Sequence, residues 1–326
     1  LDSKSELGRK MKKRFGARTI SPFSMAALLF LFMSVTSAAD DIHKKAGTAA
    51  AAFLKIDAGS RPMGMGGAFT GLADDINTLF WNPAGLTSIQ DQEFSAMQNF
   101  SIGKVYTQAL SYGQRLNEKA VWGISLQGVF TRVDFRQGPT ADPDQEVTVG
   151  GFAPGFSWAY QLRPQVAVGL TAKAVVEQLS VENTLGYAGD LGVFLQPFGK
   201  AIGLGFSAQN IGLTNSNGSL PMIIRSGVSL HPEESISIVA DLSYPLIDGF
   251  PILHLGFENW FSDLIAVRLG YNASQGENPR DGLTAGIGLR RRGRISLEGI
   301  HFQFDYAIVP DPGLGHAHRI ACLMRF

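Results

Sequence analysis

Apolar and polar residues alternate with a period of two over most of this chain, and that pattern constrains its fold more than any other feature. In the last ten residues, one set consists of His318, Ile320, Cys322, Met324 and Phe326 and the other of Ala317, Arg319, Ala321, Leu323 and Arg325. A period of two places the two sets on opposite faces of a β-strand. A mostly apolar face opposite a face with two arginines fits a β-barrel that closes in lipid, and it also fits a surface strand of a soluble sandwich.

The alternation begins near residue 92 and is interrupted by regular turn signals. We predict about fourteen strands, at residues 92–102, 105–115, 119–133, 152–162, 165–180, 184–197, 201–212, 221–231, 235–245, 251–261, 264–273, 281–291, 295–308 and 317–326. Tight turns alternate with longer connections, of which residues 134–151 are the longest, and both features are typical of outer-membrane barrels. The prediction is an all-β, antiparallel transmembrane barrel whose wall is residues 92–326.

The polar faces of the predicted strands carry charges of both signs. They include Lys173, Glu177, Asp190, Arg225, Asp241, Glu258, Arg268 and Asp305, and His254 lies on the same kind of face. In the dry core of a soluble protein, each such charge would be costly unless it were well paired. We therefore expect the apolar faces to contact lipid and the polar faces to enclose a wide, water-filled lumen.

Glycines are frequent on these polar faces, at Gly123, Gly203, Gly205, Gly227, Gly256, Gly270, Gly286 and Gly288. Missing side chains at these positions leave volume inside a barrel, and residues 40–91 are the segment available to fill it. Relief of strand curvature is the alternative explanation for the glycines.

The N-terminal region has the three parts of a secretory signal peptide. Basic residues follow Met11, an apolar run covers residues 23–35, and small residues lead to a cleavage site after Ala38 or Ala39. We therefore expect residues 1–39 to comprise upstream residues and a signal peptide. A retained N-terminal anchor helix is the alternative.

Composition excludes several other classes of protein. Charged residues make up 17% of the chain and the formal net charge is zero, so nucleic acid is not a predicted partner. The single cysteine, Cys322, provides no disulfide for an exported chain, whereas the hydrogen-bond ladder of a closed barrel supplies that support. We find no residues that form a catalytic set, a metal site or a cofactor site, so we expect a protein that is not an enzyme.

The chain ends on an aromatic residue, Phe326. This ending resembles the C-terminal signal that the bacterial outer-membrane assembly machinery reads. We therefore predict a location in the bacterial outer membrane, with lipid and that machinery as partners.

Residues 59–86 do not alternate. They read Gly59-Ser-Arg-Pro-Met-Gly-Met-Gly-Gly-Ala-Phe-Thr-Gly-Leu-Ala-Asp-Asp-Ile-Asn-Thr-Leu-Phe-Trp-Asn-Pro-Ala-Gly-Leu86, which resembles the N-terminal segment of the PorV/PorQ-like outer-membrane proteins, a group related to the FadL-type transporters of hydrophobic compounds. The resemblance implies a fourteen-stranded barrel whose N-terminal segment, here residues 40–91, plugs the lumen. The expected plug residues are Gly64, Gly66, Gly67, Asp74, Asp75, Trp81, Asn82 and Pro83.

The residues give these positions a physical role as well. The three glycines allow tight turns and a close approach to the barrel wall. Asp74 and Asp75 suit either a helix N-terminus or an ion pair with a lumen arginine. Pro83 fixes a turn after Asn82.

The resemblance leaves two functions open. The first is a FadL-like passage for hydrophobic small molecules, with the connection 134–151 as its mouth. The second is a PorV-like interaction component of type IX secretion or surface attachment, with a secreted protein as cargo.

Overall fold

In a computed structural model of the chain, the C-terminal part forms one closed antiparallel β-barrel of fourteen strands, as predicted. The structure describes residues 46–101, 104–136, 138, 142, 144–179, 182–274, 282–291, 299–311 and 315–326. The predicted signal peptide at residues 1–39 lies outside these ranges.

The strands are much as the alternation predicts. They are β1 (Gln92–Phe100), β2 (Tyr106–Arg115), β3 (Ala120–Phe135), β4 (Gln145–Arg163), β5 (Val166–Leu179), β6 (Glu182–Leu195), β7 (Pro197–Lys200), β8 (Ile202–Thr214), β9 (Ile223–Glu233), β10 (Ile236–Pro245), β11 (Ile252–Phe261), β12 (Ile265–Ser274), β13 (Gly282–Arg291), β14 (His301–Asp311) and β15 (Gly315–Arg325). The four residues of β7, predicted as a tight turn, form a short strand between β6 and β8 that is not part of the ring.

Each strand of the ring pairs with its neighbours along the chain, and β6 pairs directly with β8. The ring closes between β1 and β15, in a register that runs from Glu93 opposite Arg325 to Phe100 opposite His318. Closure leaves no strand edge exposed along the ring. Within the described ranges, no helix is long and apolar enough to cross a membrane.

The two faces of the wall differ as the sequence predicts. Arg268 points inward and is fully buried, whereas the next residue, Leu269, points outward with 56% of its surface exposed. The outward face carries many exposed large apolar residues, which are Leu, Ile, Val, Phe, Tyr and Trp side chains on strands around the ring. This arrangement is that of a barrel surrounded by lipid, and it is the reverse of a soluble barrel.

Two expectations are wrong. The connection predicted at 134–151 is shorter, because β3 and β4 continue to pair from Phe130–Gly150 to Phe135–Gln145 through several β-branched residues. The charges on the polar faces do not line a wide, water-filled lumen. Six of the eight have 4% or less of their surface exposed, and Glu177 and the side chain of Lys173 are 8% and 14% exposed, because the preceding segment of the chain fills the interior.

Residues 46–91 lie inside the barrel, and we call them the luminal segment. They form four short helical pieces, which are the 3-10 helix η1 (Ala52–Lys55), the α-helix α1 (Ser60–Gly64), and the 3-10 helices η2 (Ile76–Phe80) and η3 (Pro83–Ser88). One end of the barrel carries the connections 136–144, 215–222 and 246–251, and we call it the long-loop end. The luminal segment starts at this end. It leaves at the opposite, short-turn end, where β1 begins.

Candidate functional site: the filled lumen

A cluster of buried charges joins the luminal segment to the wall. Arg61 of α1 binds Glu258 of β11 through two hydrogen bonds, from Nε at 2.9 Å and from Nη2 at 2.7 Å. Its Nη1 also contacts Asp74 at 2.6 Å and Asp75 at 2.7 Å. Oε2 of Glu258, which accepts from Nε of Arg61, also accepts a hydrogen bond of 2.6 Å from Nε of Arg268. The cluster therefore combines charges of the wall with charges of the inserted segment.

The centre of the cluster is buried, whereas the side chain of Asp74 at its edge is 41% exposed. The side chains of Arg61, Glu258 and Arg268 are 5%, 1% and 0% exposed. Arg268 also forms an ion pair of 2.8 Å with Asp305, although the two groups are not aligned for a hydrogen bond. Because an unpaired charge in such a place is strongly destabilising, removal of any one member affects the others.

Carboxylates of the wall also hold backbone N–H groups of the luminal segment. Asp241 accepts hydrogen bonds from the backbone nitrogens of Phe69, at 2.8 Å, and Thr70, at 2.5 Å. Glu93 accepts one from Ile76 at 2.9 Å, and Glu177 accepts one from Ala51 at 3.1 Å. These bonds satisfy backbone groups that short, irregular helical pieces leave unpaired.

His254 lies in a second polar cluster. Its Nε2 is 2.8 Å from the hydroxyl of Ser243, and its Nδ1 is 2.8 Å from the carbonyl oxygen of Gly66 and 3.1 Å from Oδ1 of Asn272. All three side chains are buried under the luminal segment. The cluster therefore connects three strands to one luminal carbonyl.

Glycines bring the two backbones close together. A Cβ on Gly256 of the wall would lie 2.6 Å from the carbonyl oxygen of Met65, and one on Gly286 would lie 3.1 Å from the Cα of Gly64. Gly66 and Gly67 of the luminal segment have positive φ angles of 68° and 78°, which suit glycine in a tight turn. Seven of the eight glycines on the polar faces, all except Gly288, are thus positions where the inserted chain contacts the wall.

The turn at Asn82 is fixed on both sides. Its side chain caps η3 by accepting a hydrogen bond from the backbone nitrogen of Ala84 at 3.2 Å. The same amide donates to the carbonyl oxygens of Thr70, at 3.1 Å, and Val193 of the wall, at 3.0 Å. Pro83 contacts the wall at Gly169.

The remaining predicted plug residues are placed as follows. Asp75 caps η2 by accepting a hydrogen bond of 2.8 Å from the backbone nitrogen of Asn77, in addition to its ion pair with Arg61. Trp81 is fully buried, and its indole N–H donates to the carbonyl oxygen of Ala58 at 2.9 Å. Phe326, predicted as an assembly signal, is 45% exposed at the short-turn end.

A small polar cavity of about 20 Å³ lies beside residues 54–58 of the luminal segment. Arg225 of the wall borders it, pairs with Asp57 at 2.6 Å and lies over the ring of Trp81 at 4.6 Å. Lys173 also borders the cavity and pairs with Asp190 at 2.8 Å. A space of this size holds about one water molecule, so this cavity has no room for an organic ligand.

The long-loop end of the lumen is apolar. Phe53 and Leu54 of η1 pack in one buried cluster with residues of the wall, which are Val129, Ala153, Val175 and Ala188, and with Leu220 of a connection. Lys55 of the same helix forms an ion pair of 3.1 Å with Asp248, at side-chain exposures of 22% and 12%. Lys55, Arg61 and Asp57 each form an ion pair with a residue of the barrel. The pair of Lys55 is the most exposed of the three.

Sequence reasoning missed several residues of this site, above all Arg61. A signal was present, because Arg61 is the only charged residue in the stretch 58–73. Ser243, Asn272 and Glu93 were also missed, although they lie on the inward registers of predicted strands.

Comparison with known proteins gives a consistent fold. Residues 31–183 match the model of an uncharacterised protein family (UPF0164). No curated protein sequence matches the chain. Among solved structures, the fold is similar to that of the toluene transporter TbuX of Ralstonia pickettii, with a TM-score of 0.58, 14% identity, and coverage of 82% of this chain and 97% of that one.

Two further structures are similar at the same level. The Pseudomonas putida toluene transporter TodX gives a TM-score of 0.57 at 12% identity, over 81% of this chain and 96% of that one. A Pseudomonas aeruginosa FadL homologue gives 0.52 at 10% identity, over 81% and 96%. The chain therefore has the fold of the FadL-type outer-membrane barrels.

Proposed function

We propose that this protein resides in the bacterial outer membrane and passes hydrophobic small molecules through its barrel, with the luminal segment as the plug. The long-loop end would then face the cell exterior and the short-turn end the periplasm, with Phe326 acting in assembly of the barrel. Removal of residues 1–39 as a signal peptide and the division into a plug at 40–91 and a barrel at 92–326 belong to the same proposal.

The apolar cluster at the long-loop end carries the proposal. The lumen wall is mostly polar, yet Val129, Ala153, Val175 and Ala188 form an apolar area on it that Phe53 and Leu54 cover. If η1 moves away, this area becomes available to an apolar molecule arriving from the long-loop end. Burial of such a molecule there is favourable by about 25 cal/mol per Å² of apolar surface.

The fold likeness supports the same function. TbuX and TodX are described as toluene transporters, so toluene is a reasonable first probe. Oleate, a longer hydrophobic molecule, is the second probe. The alternative of a type IX secretion component depends on the PorV/PorQ resemblance of residues 59–86 alone, so we prefer passage.

Uptake by proteoliposomes tests the proposal. Vesicles that contain the full-length barrel are expected to accumulate radiolabelled toluene or oleate faster than protein-free vesicles. Ala153→Asp places a charge in the apolar cluster and is expected to slow uptake at least tenfold, whereas Ala153→Val is expected to retain it. Equal uptake of both probes with and without the protein would overturn the proposal, and steady ion currents at rest would indicate an open porin instead.

A further inference from the structure

A concave apolar groove crosses the outward face of the barrel wall from β4 to β9. It has a volume of about 690 Å³. One row of paired residues crosses it, formed by Trp158, Leu170, Leu191, Ala208 and Ile224. The outer surface of a barrel is convex, so a concavity of this size needs a local cause.

Side-chain size and a β-bulge explain the groove. Ala208 lies between the larger Leu191 and Ile224, and in the adjacent row Ser226 lies next to Phe206. Immediately beyond Ala208, the β6–β8 ladder shifts register, so that Gln209 and Asn210 lie opposite Asp190 alone. A bulge of this kind bends its strand and increases the local twist.

The floor of the groove is only one backbone layer thick. Gly169 and Gly192 form part of it, and on the luminal side both contact Pro83. Val193 faces the groove with its side chain, while its carbonyl oxygen accepts the hydrogen bond from Asn82. The groove and the turn at Asn82 therefore contact opposite sides of the same piece of wall.

We propose that this groove is a resident binding site for one acyl chain of a membrane lipid. It opens onto the outward apolar band, so in a bilayer the molecules that reach it are lipids. An unfilled groove would leave its lining without contacts, and a chain packed into it touches protein on several sides. Inside a bilayer this packing, and not the hydrophobic effect, distinguishes the site from the rest of the apolar wall.

The lining also gives the orientation of the lipid. Trp158 and Tyr160 border the groove near the short-turn end, where β4 ends at Arg163. Aromatic residues of this type are enriched at the boundary between acyl chains and headgroups. The headgroup of the bound lipid therefore lies toward the short-turn end, and its chain extends past Leu191 and Ala208.

A lipid chain bound in the groove stabilises the closed wall at Val193. It packs on the outward side of this residue, while the hydrogen bond from Asn82 is on the luminal side. This site depends on the outward face contacting lipid and does not depend on transport. A failure of the uptake assay and a failure of the lipid site are therefore distinguishable.

Native mass spectrometry of the detergent-solubilised, full-length protein tests the site. The wild type, reconstituted in palmitoyl-oleoyl phosphatidylethanolamine and then extracted, is expected to retain one phospholipid per barrel. Ala208→Phe fills the centre of the groove and is expected to reduce the retained fraction at least fivefold. The matched control is Ala285→Phe, which adds the same ring to the outward face of β13, and it is expected to retain lipid as the wild type does.

Fluorescence provides a second measurement that does not depend on extraction. In a Trp122→Phe background, Trp158 is the outward-facing tryptophan of the described wall, since Trp81 and Trp260 are buried. The protein is first loaded with phospholipid that has brominated chains and is then exchanged into unlabelled lipid. The brominated lipid that stays bound is expected to quench the fluorescence of Trp158, and Ala208→Phe is expected to remove this residual quenching. Equal retention and quenching in both Phe variants, no retained lipid in the wild type, or a dimer mass in its place would overturn the proposal.

Discussion

Arg61 and Glu258, separated by 197 positions in the chain, face each other inside the barrel and share two hydrogen bonds of 2.9 and 2.7 Å. One belongs to the luminal segment and the other to the wall. The pair is almost completely shielded from solvent, so it links the two parts of the protein in a place where an unpaired charge is costly. The filled lumen thus depends on this contact more than on any exposed ion pair.

Arg61→Ala is expected to destabilise the protein by about 3–5 kcal/mol, because it leaves Glu258, Asp74 and Asp75 without their shared partner. Chemical unfolding in detergent measures the change. Arg136→Ala is the control, since Arg136 pairs with Asp134 at 3.7 Å with both side chains at least 40% exposed. Arg136→Ala is expected to lower the free energy of unfolding by less than about 1 kcal/mol. Equal losses in the two variants would contradict a structural role for the Arg61 cluster.

Arg61→Lys is expected to have a free energy of unfolding between those of the wild type and Arg61→Ala, although it preserves the charge. A lysine ammonium lacks the planar fork that contacts Glu258 at two points while also reaching Asp74 and Asp75. The loss of hydrogen bonds to charged groups is expected to cost about 1.5–3 kcal/mol. The same unfolding experiment measures it, and stability equal to the wild type would mean that charge alone holds the cluster.

The fold was predictable because alternation is a local property. A period of two can be read from neighbouring residues, and it correctly indicated the ring of fourteen strands and the inward direction of Glu258 and Arg268. The error at 134–151 arose at the strand ends, where β3 and β4 continue to pair beyond Val133 and Val147 through polar residues such as Asp134 and Glu146.

The state of the lumen was not predictable in the same way. Counting the charges of the wall suggested water, because Glu258 and Arg225 have partners that do not lie on the strands. Arg61 and Asp57 come from the luminal segment and pair with these two wall residues across large sequence separations. A pairing of this kind depends on the path of the inserted chain, which no local pattern specifies.

Gly256→Ala is expected to disturb the closed lumen. The added methyl would lie 2.6 Å from the carbonyl oxygen of Met65 and 2.7 Å from its Cβ, so the luminal segment must shift. Overpacking of this kind typically costs about 1–3 kcal/mol. Gly189→Ala is the matched control on the outward face, where the nearest atom would be 3.4 Å away. Thermal unfolding of the two variants measures the difference, and identical midpoints would argue against close packing at Gly256.

Lys55→Glu is expected to release η1 from the long-loop end, because it places a second negative charge against Asp248. Both side chains are only partly exposed, and the pair is expected to contribute about 1 kcal/mol. That amounts to roughly a fivefold rise in the population with η1 displaced. Hydrogen exchange at the backbone of residues 52–56 measures it, with residues 76–80 of η2 as the internal reference. The double variant Lys55→Glu with Asp248→Lys restores opposite charges and is expected to recover most of the protection. If the reversed pair stays as unprotected as Lys55→Glu, the ion pair is not what holds η1 in place.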